Sequence, residues 1–343
     1  METSRQPATL ADVAERAGVS RQTVSNAINN PDLLRPDTLA RVLEAIDGLG
    51  YSPNHAARQL RTRSSRLVGL RLGPSQEFTA NMAMDRFVRA LVEAAREVGY
   101  HVLLFSGGPV AEGELPDPLG GYDDLLRSTA VDAFVVTDTY LGNPQTVALA
   151  ARRAPFVAFG RPWDDPDATH PWVDVDGAAG VEAATRHVRE LGHERIAWLG
   201  WAPGSRIGED RRAGWHRAMV AQGLSTAGLE AAVPDTVDAG REAAAALLDT
   251  VGPTGFVCAS DTLAVGVLHT LRERGIHAGP GLPVVGFDDS QVAQVMGLTS
   301  VRQPLEEVAV EVVGALVDLL SPREVAVRET LLAPSLAVRQ TSV

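Results

Sequence analysis

The chain has 343 residues, too many for one ordinary core, and its 45% hydrophobic and 22% charged residues are those of a globular protein of at least two domains rather than a disordered or fibrous one. No apolar run is long enough to span a bilayer and Met1 to Pro7 is polar, so neither a transmembrane helix nor a secretion signal is expected; the chain is expected to be cytoplasmic, with no membrane partner. The net charge of −12 is unevenly spread: residues 1–66 hold nine arginines against seven acids, the remainder holds 22 arginines against 36 acids, and no lysine occurs.

An arginine-rich end on an acidic body suits phosphate contact at that end only, although short basic stretches are commonly just solvated. The first 50 residues read as three short helices. In the first, Leu10, Val13, Ala14 and Ala17 form one apolar stripe, Thr9 can cap the start and Asp12 stands at the capping-box spacing. Gly18 ends it, and Ser20 can cap a second helix running to about Ile28. Leu39, Val42, Leu43, Ile46 and Leu49 form the stripe of a third.

Two helices joined by a short turn containing glycine match a helix-turn-helix, whose second helix enters the major groove. Here that helix begins Ser20-Arg21-Gln22-Thr23-Val24-Ser25-Asn26. Val24 and Ile28 can face the core, leaving Arg21, Gln22, Ser25 and Asn26 outward, where Arg suits guanine and Gln or Asn suits adenine. The alternative is a three-helix bundle with an ordinary polar face. Residues 51–66 follow, with Pro53 and Asn54 able to open a helix ending near Leu60, too short to be stable alone.

From Leu67 the pattern becomes strand–helix alternation. Strands are expected at Leu67–Leu72, His101–Phe105, Ala133–Thr137 and Phe156–Phe159, then at Trp172–Val175, Arg195–Leu199, Gly255–Ala259 and Pro283–Phe287. Helical stretches intervene, so two α/β lobes with parallel sheets are expected, with a ligand cleft at the carboxyl ends of the strands. The single cysteine, Cys258, lies in an apolar strand and reads as a packed residue. No Gly-x-Ser-x-Gly elbow, Walker loop or Gly-x-Gly-x-x-Gly loop occurs, and His187 and His193 are off metal spacing, so no enzyme, metal or cofactor is expected.

Three segments in order carry a resemblance: Thr9-Leu10-Ala11-Asp12-Val13-Ala14-Glu15-Arg16-Ala17-Gly18-Val19-Ser20 with Thr23-Val24-Ser25; Gly50-Tyr51-Ser52-Pro53-Asn54 with Ala57 and Leu60; and Val284-Val285-Gly286-Phe287-Asp288-Asp289 with Leu298-Thr299-Ser300-Val301-Arg302-Gln303-Pro304. Over essentially its whole length the chain resembles the LacI/GalR family of bacterial regulators. The resemblance implies an all-α helix-turn-helix domain over 1–50 and a hinge helix and linker over 51–66. It further implies a two-lobed periplasmic-binding-protein-like sensor over 67–343, with lobe 1 at about 67–172 and 304–331 and lobe 2 at about 173–303 and 332–343.

It implies a homodimeric repressor on pseudo-palindromic operator DNA, governed by a small effector, a carbohydrate in the family's habit; a solute-binding protein without DNA role is the alternative the lobes alone would fit. DNA contacts are implied for Thr9, Ser20, Arg21, Gln22, Thr23, Ser25, Asn26, Tyr51, Asn54, Ala57 and Leu60, the last as a minor-groove wedge. Asn26 departs from the Arg or His often found there. Effector contacts are implied for Asp138, Arg161, Trp201, Arg211, Ser260, Asp261 and Asp288. Ser260 departs from the usual Asn; Arg211 and Asp288 could instead pair with each other, Arg161 and Asp261 could cap helices, and Trp201 could be packing.

Overall fold

The computed structural model describes residues 8–51, 64–72, 82–107, 119–137, 139–140, 142–163, 165, 168–321 and 328–343. The chain divides into two compact units, Met1–Ser65 and Arg66–Val343.

The first unit contains α1 (Leu10–Ala17), α2 (Arg21–Asn29) and α3 (Pro36–Leu49). The capping box forms: the Thr9 backbone N–H donates to the Asp12 carboxylate at 2.7 Å, and the Asp12 N–H donates back to the Thr9 hydroxyl at 3.4 Å. Gly18 takes φ 65°, the left-handed conformation that turns the chain from α1 toward α2. Val13, Val24 and Val42 are completely buried, with Ala14, Ala17, Ala27 and Ala45 beside them; Ile28, Leu39, Ile46, Leu49 and Tyr51 pack around this centre. Leu43 departs from the expected stripe and is 50% exposed, because the buried arc is carried by Leu39, Val42, Ile46 and Leu49. The third helix starts at Pro36, whose fixed φ and missing N–H suit a first turn, rather than at Leu39.

The second unit holds two six-stranded sheets. The first runs β11-β5-β4-β3-β1-β2, from β1 (Leu67–Arg71), β2 (His101–Phe105), β3 (Ala133–Val136), β4 (Phe156–Phe159), β5 (Trp172–Val175) and β11 (Glu329–Leu332), all parallel. The second runs β12-β10-β9-β8-β6-β7, from β6 (Ile196–Trp201), β7 (Glu230–Val233), β8 (Gly255–Cys258), β9 (Val284–Phe287), β10 (Thr299–Arg302) and an antiparallel edge, β12 (Ser335–Ala337). The sheet interiors are largely apolar, as parallel sheets covered on both faces require, with Thr299 and Ser300 of β10 and Asp174 of β5 as buried polar exceptions.

Helices cover these sheets: α4 (Met82–Glu97), α5 (Tyr122–Arg127), α6 (Pro144–Ala151), α7 (Gly177–Glu190), α8 (Arg206–Ala221), α9 (Val237–Thr250), α10 (Asp261–Glu273), α11 (Gln291–Val295) and α12 (Leu305–Leu319). The chain crosses between lobes three times, after Val175, after Arg302 and after Leu332. The first crossing corrects the expected boundary near residue 172: β5 pairs with β4 and β11 and therefore belongs to lobe 1. A buried strand with no helix before it does not declare its sheet; only its hydrogen-bond partners do. Cys258 is fully buried in β8, and burial pushes its thiol well above the usual range.

Candidate functional site

Two surfaces carry the implied chemistry, one in each unit. In the first, the Ser20 hydroxyl caps α2 by accepting from the Thr23 N–H at 3.1 Å and shares a hydrogen bond with the Thr23 hydroxyl at 2.9 Å. Thr9 likewise spends its hydroxyl on the α1 cap. Both remain exposed, so they set the helix starts while still facing solvent. Arg21 and Gln22 are exposed, Thr23, Ser25 and Asn26 half-buried, and the Gln22 side-chain amide donates to Asn26 at 3.0 Å. That bond presets two amides as a pair on one face, the geometry that suits an adenine edge. Tyr51 packs against the helical core. Asn54, Ala57 and Leu60 lie outside the described residues, as does Asp138.

In the second unit a cleft of about 530 Å³ lies between the lobes, within the size of small-molecule sites. Lobe 1 contributes Met84, Thr137, Thr139, Tyr140, Phe159, Trp163 and Asp174; lobe 2 contributes Trp201, Arg206, Asp210, Arg211, Asp235, Thr236, Phe287 and Asp288; Gln303 sits at a crossing.

Arg211 is the buried centre of the lobe 2 wall. Its guanidinium carbon lies 3.6 Å from the centroid of Phe287 and 5.1 Å from that of Trp201, its Nη1 donates to the Ala259 carbonyl at 2.6 Å, and its Nη2 is 3.7 Å from Asp288. Burial lowers its pKa, opposed by the carboxylates of Asp288 and Asp235. Asp288 has φ 109°, outside the ordinary range for a side-chain-bearing residue, a strain that aims it at the cleft. Burial pushes its pKa up to about 7, against the pull of Arg211 and of Gln303, which donates to it at 2.7 Å. Trp201 lines the cleft, and its indole N–H, like that of Trp163, is buried without a partner among the described residues. An aromatic face beside the polar groups of Arg211 and Asp288 suits a ligand with both an apolar ring face and hydroxyls.

Three of the implied contacts fall elsewhere. Asp261 is turned away from the cleft: it accepts from the Ser290 N–H at 2.7 Å and the Ser300 hydroxyl at 2.6 Å, so it anchors the loop after β9. Gly286 is needed for this, since a Cβ there would meet the Asp261 carboxylate at 2.2 Å. Ser260 caps α10 and donates to Asp235 at 2.5 Å. Arg161 lies behind the wall, its Nε donating to Asp174 at 2.6 Å and its Nη2 to Asp210 of lobe 2 at 3.4 Å, with its guanidinium over Trp163. Asp174, Asp210 and Asp235 escaped the sequence reading. Asp235 follows β7, a half-exposed strand of weak pattern, and Asp174 reaches the cleft only because β5 joins the first sheet.

The cleft and the helical unit together define a ligand-sensing, DNA-reading class of protein. Residues 9–54 match the family model of bacterial regulatory proteins, lacI family, and residues 185–342 that of a periplasmic binding protein-like domain. The HTH-type transcriptional regulator CelR of Thermobifida fusca is 34% identical over 99% of this chain and 100% of its own length, and GalS of Salmonella typhimurium is 32% identical over 88% and 86%. Among solved structures, a CelR–cellobiose complex aligns with TM-score 0.72 and 32% identity over 97% of this chain and 99% of that one. A lac repressor dimer bound to operator and the anti-inducer ONPF aligns with TM-score 0.78 and 25% identity over 98% and 99%. This chain belongs to the lacI family of bacterial regulatory proteins and is an HTH-type transcriptional regulator. None of its described helices is long and apolar enough to cross a membrane.

Proposed function

We propose that the protein is a homodimeric repressor that reads a pseudo-palindromic operator through α2 and is switched by an uncatalysed binding event, the seating of a saccharide in the cleft. Two-fold protein symmetry calls for two-fold operator symmetry. It acts on chromosomal DNA in the cytoplasm, with residues 51–66 as a hinge that folds on the operator and Leu60 as its wedge. The observation that carries the sugar reading is the Trp201 indole beside buried Arg211 and Asp288, a stacking face next to paired donor and acceptor. The likeness to a regulator solved with cellobiose supports a two-ring sugar. A cleft of about 530 Å³ lies within the size range of sites that hold small-molecule ligands.

Ligand control requires unequal affinity for the lobe arrangements that do and do not favour operator binding. The test is a thermal-shift screen against cellobiose, maltose, lactose, glucose and purines, followed by operator gel shifts with any hit. A sugar at 100 times its Kd should stabilise the fold by about 2.7 kcal/mol and change operator affinity. A shift with purines and none with sugars would overturn the saccharide reading.

A further inference from the structure

Among the described residues the helices α7, α8, α9, α10 and α12 begin at the cleft, and helix N-termini are ready-made anion sites because their first N–H groups are unspent and the helix dipole is positive there. At four of these starts the chain's own side chains already accept from a backbone N–H; α12, which follows Pro304, has no side-chain cap. At α7 the Asp210 carboxylate accepts from the Ala178 N–H at 3.0 Å and Asp176 accepts from Ala179 at 2.9 Å. At α8 the Ser205 hydroxyl accepts from the Gly208 N–H at 3.2 Å, while Glu209 accepts from the Gly204 N–H just before the helix at 3.3 Å and from Arg206 at 3.1 Å. At α10 Ser260 caps Leu263 while donating to Asp235.

The guanidiniums are held largely by the chain itself, although the Arg211 Nε is buried without a hydrogen-bond partner among the described residues. Arg211 is sandwiched between the rings of Phe287 and Trp201, with its ends on Ala259 and near Asp288. Arg206 pairs with Glu209, and Arg161 is shared by Asp174 and Asp210. Among the described residues that line the cleft, two cations, Arg206 and Arg211, stand against four carboxylates, those of Asp174, Asp210, Asp235 and Asp288, and Asp235 has no arginine within ion-pair distance.

From this arrangement we infer that the cleft takes an uncharged saccharide and rejects its phosphorylated and uronic-acid forms, an inference that rests on the sugar reading above. An incoming phosphate or carboxylate would enter a wall that carries more carboxylates than guanidiniums and approach Asp235, where a partly desolvated like charge is strongly repelled. Neutral hydroxyls meet no such barrier, since the carboxylates accept from them.

The experiment is calorimetry on the full chain with paired probes: glucose and glucose 6-phosphate, cellobiose and its 6-phosphate, and glucuronate. In the native protein each anionic probe should bind at least about ten-fold more weakly than its neutral partner. Asp235→Asn, which removes the cleft carboxylate that has no arginine within ion-pair distance, should narrow that ratio. A purely structural role for Asp235 would weaken both members of a pair alike. Phosphorylated probes binding as tightly as neutral ones would overturn the inference and leave the sugar reading standing; a panel in which no saccharide of either charge binds would overturn both.

Discussion

The guanidinium of Arg211 lies 3.6 Å above the ring of Phe287, so the cation that pairs with Asp288 is held by an aromatic floor from the adjoining residue. Phe287 and Asp288 are neighbours in sequence, but the φ of 109° at Asp288 turns its carboxylate from the end of β9 into the cleft while the phenyl ring stays in the core. Removing the arginine would leave Asp288 without its counterion and open a hollow between two rings. Arg211→Ala is expected to destabilise the second unit by about 3–5 kcal/mol, read by urea unfolding, and to abolish any saccharide-induced thermal shift. Arg211→Lys would keep the charge but lose the flat guanidinium, and should restore stability only in part.

Asp288 also sets a pH dependence. Its pKa is raised to about 7 from an ordinary value of 3.8, chiefly by burial. The folded protein therefore holds a proton there that the unfolded chain has already lost, and stability falls as pH rises between those two values. Asp288→Asn should flatten this part of the profile. Unfolding midpoints across pH 5 to 8 check it; parallel profiles for the two proteins would refute the assignment.

On the DNA side, Gln22 and Asn26 act as a bonded pair, at 3.0 Å, and Arg21 stands exposed at the start of the same helix. Arg21→Ala, Gln22→Ala and Asn26→Ala should each cost operator binding about 1–3 kcal/mol if the side chain reads a base. The cost should be much smaller against non-specific DNA. Competition gel shifts measure both, and equal losses on the two DNAs would mark the residue as a phosphate contact instead.

Ser20 offers a control within the same helix. Its hydroxyl accepts from the Thr23 N–H, so Ser20→Ala should lower the stability of the first unit by about 1 kcal/mol, through the cap rather than through DNA. Thermal unfolding of the full chain, followed by a probe in the helical unit, would detect it.

Leu60→Ala should weaken operator binding sharply and leave saccharide binding unchanged, because a smaller side chain cannot hold a base step open. Gel shifts and calorimetry on the one variant decide this; unchanged operator affinity would end the wedge mechanism.

Much of the architecture was legible in the residues themselves. Thr9, Asp12, Gly18 and Ser20 punctuate the first two helices by local chemistry, and caps and left-handed turns involve residues only a few positions apart. The apolar runs that became β1, β3, β4, β8 and β9 were legible for the same reason, since a parallel strand buried on both faces is hydrophobic throughout. What tertiary structure alone decided is which of these pieces meet. The lobe to which β5 belongs depends on its pairing with β4 and β11, and β11 lies more than 150 residues away. Asp235, Asp174 and Asp210 come from three different elements and become one acidic wall only when the lobes face each other, whereas Asp261, beside a strand end like the others, is drawn inward by Ser290 and Ser300. Local rules set helix starts, turns and strand runs because their energies are spent within a few residues; the direction a carboxylate faces is set by long-range partners, and no spacing along the chain encodes it.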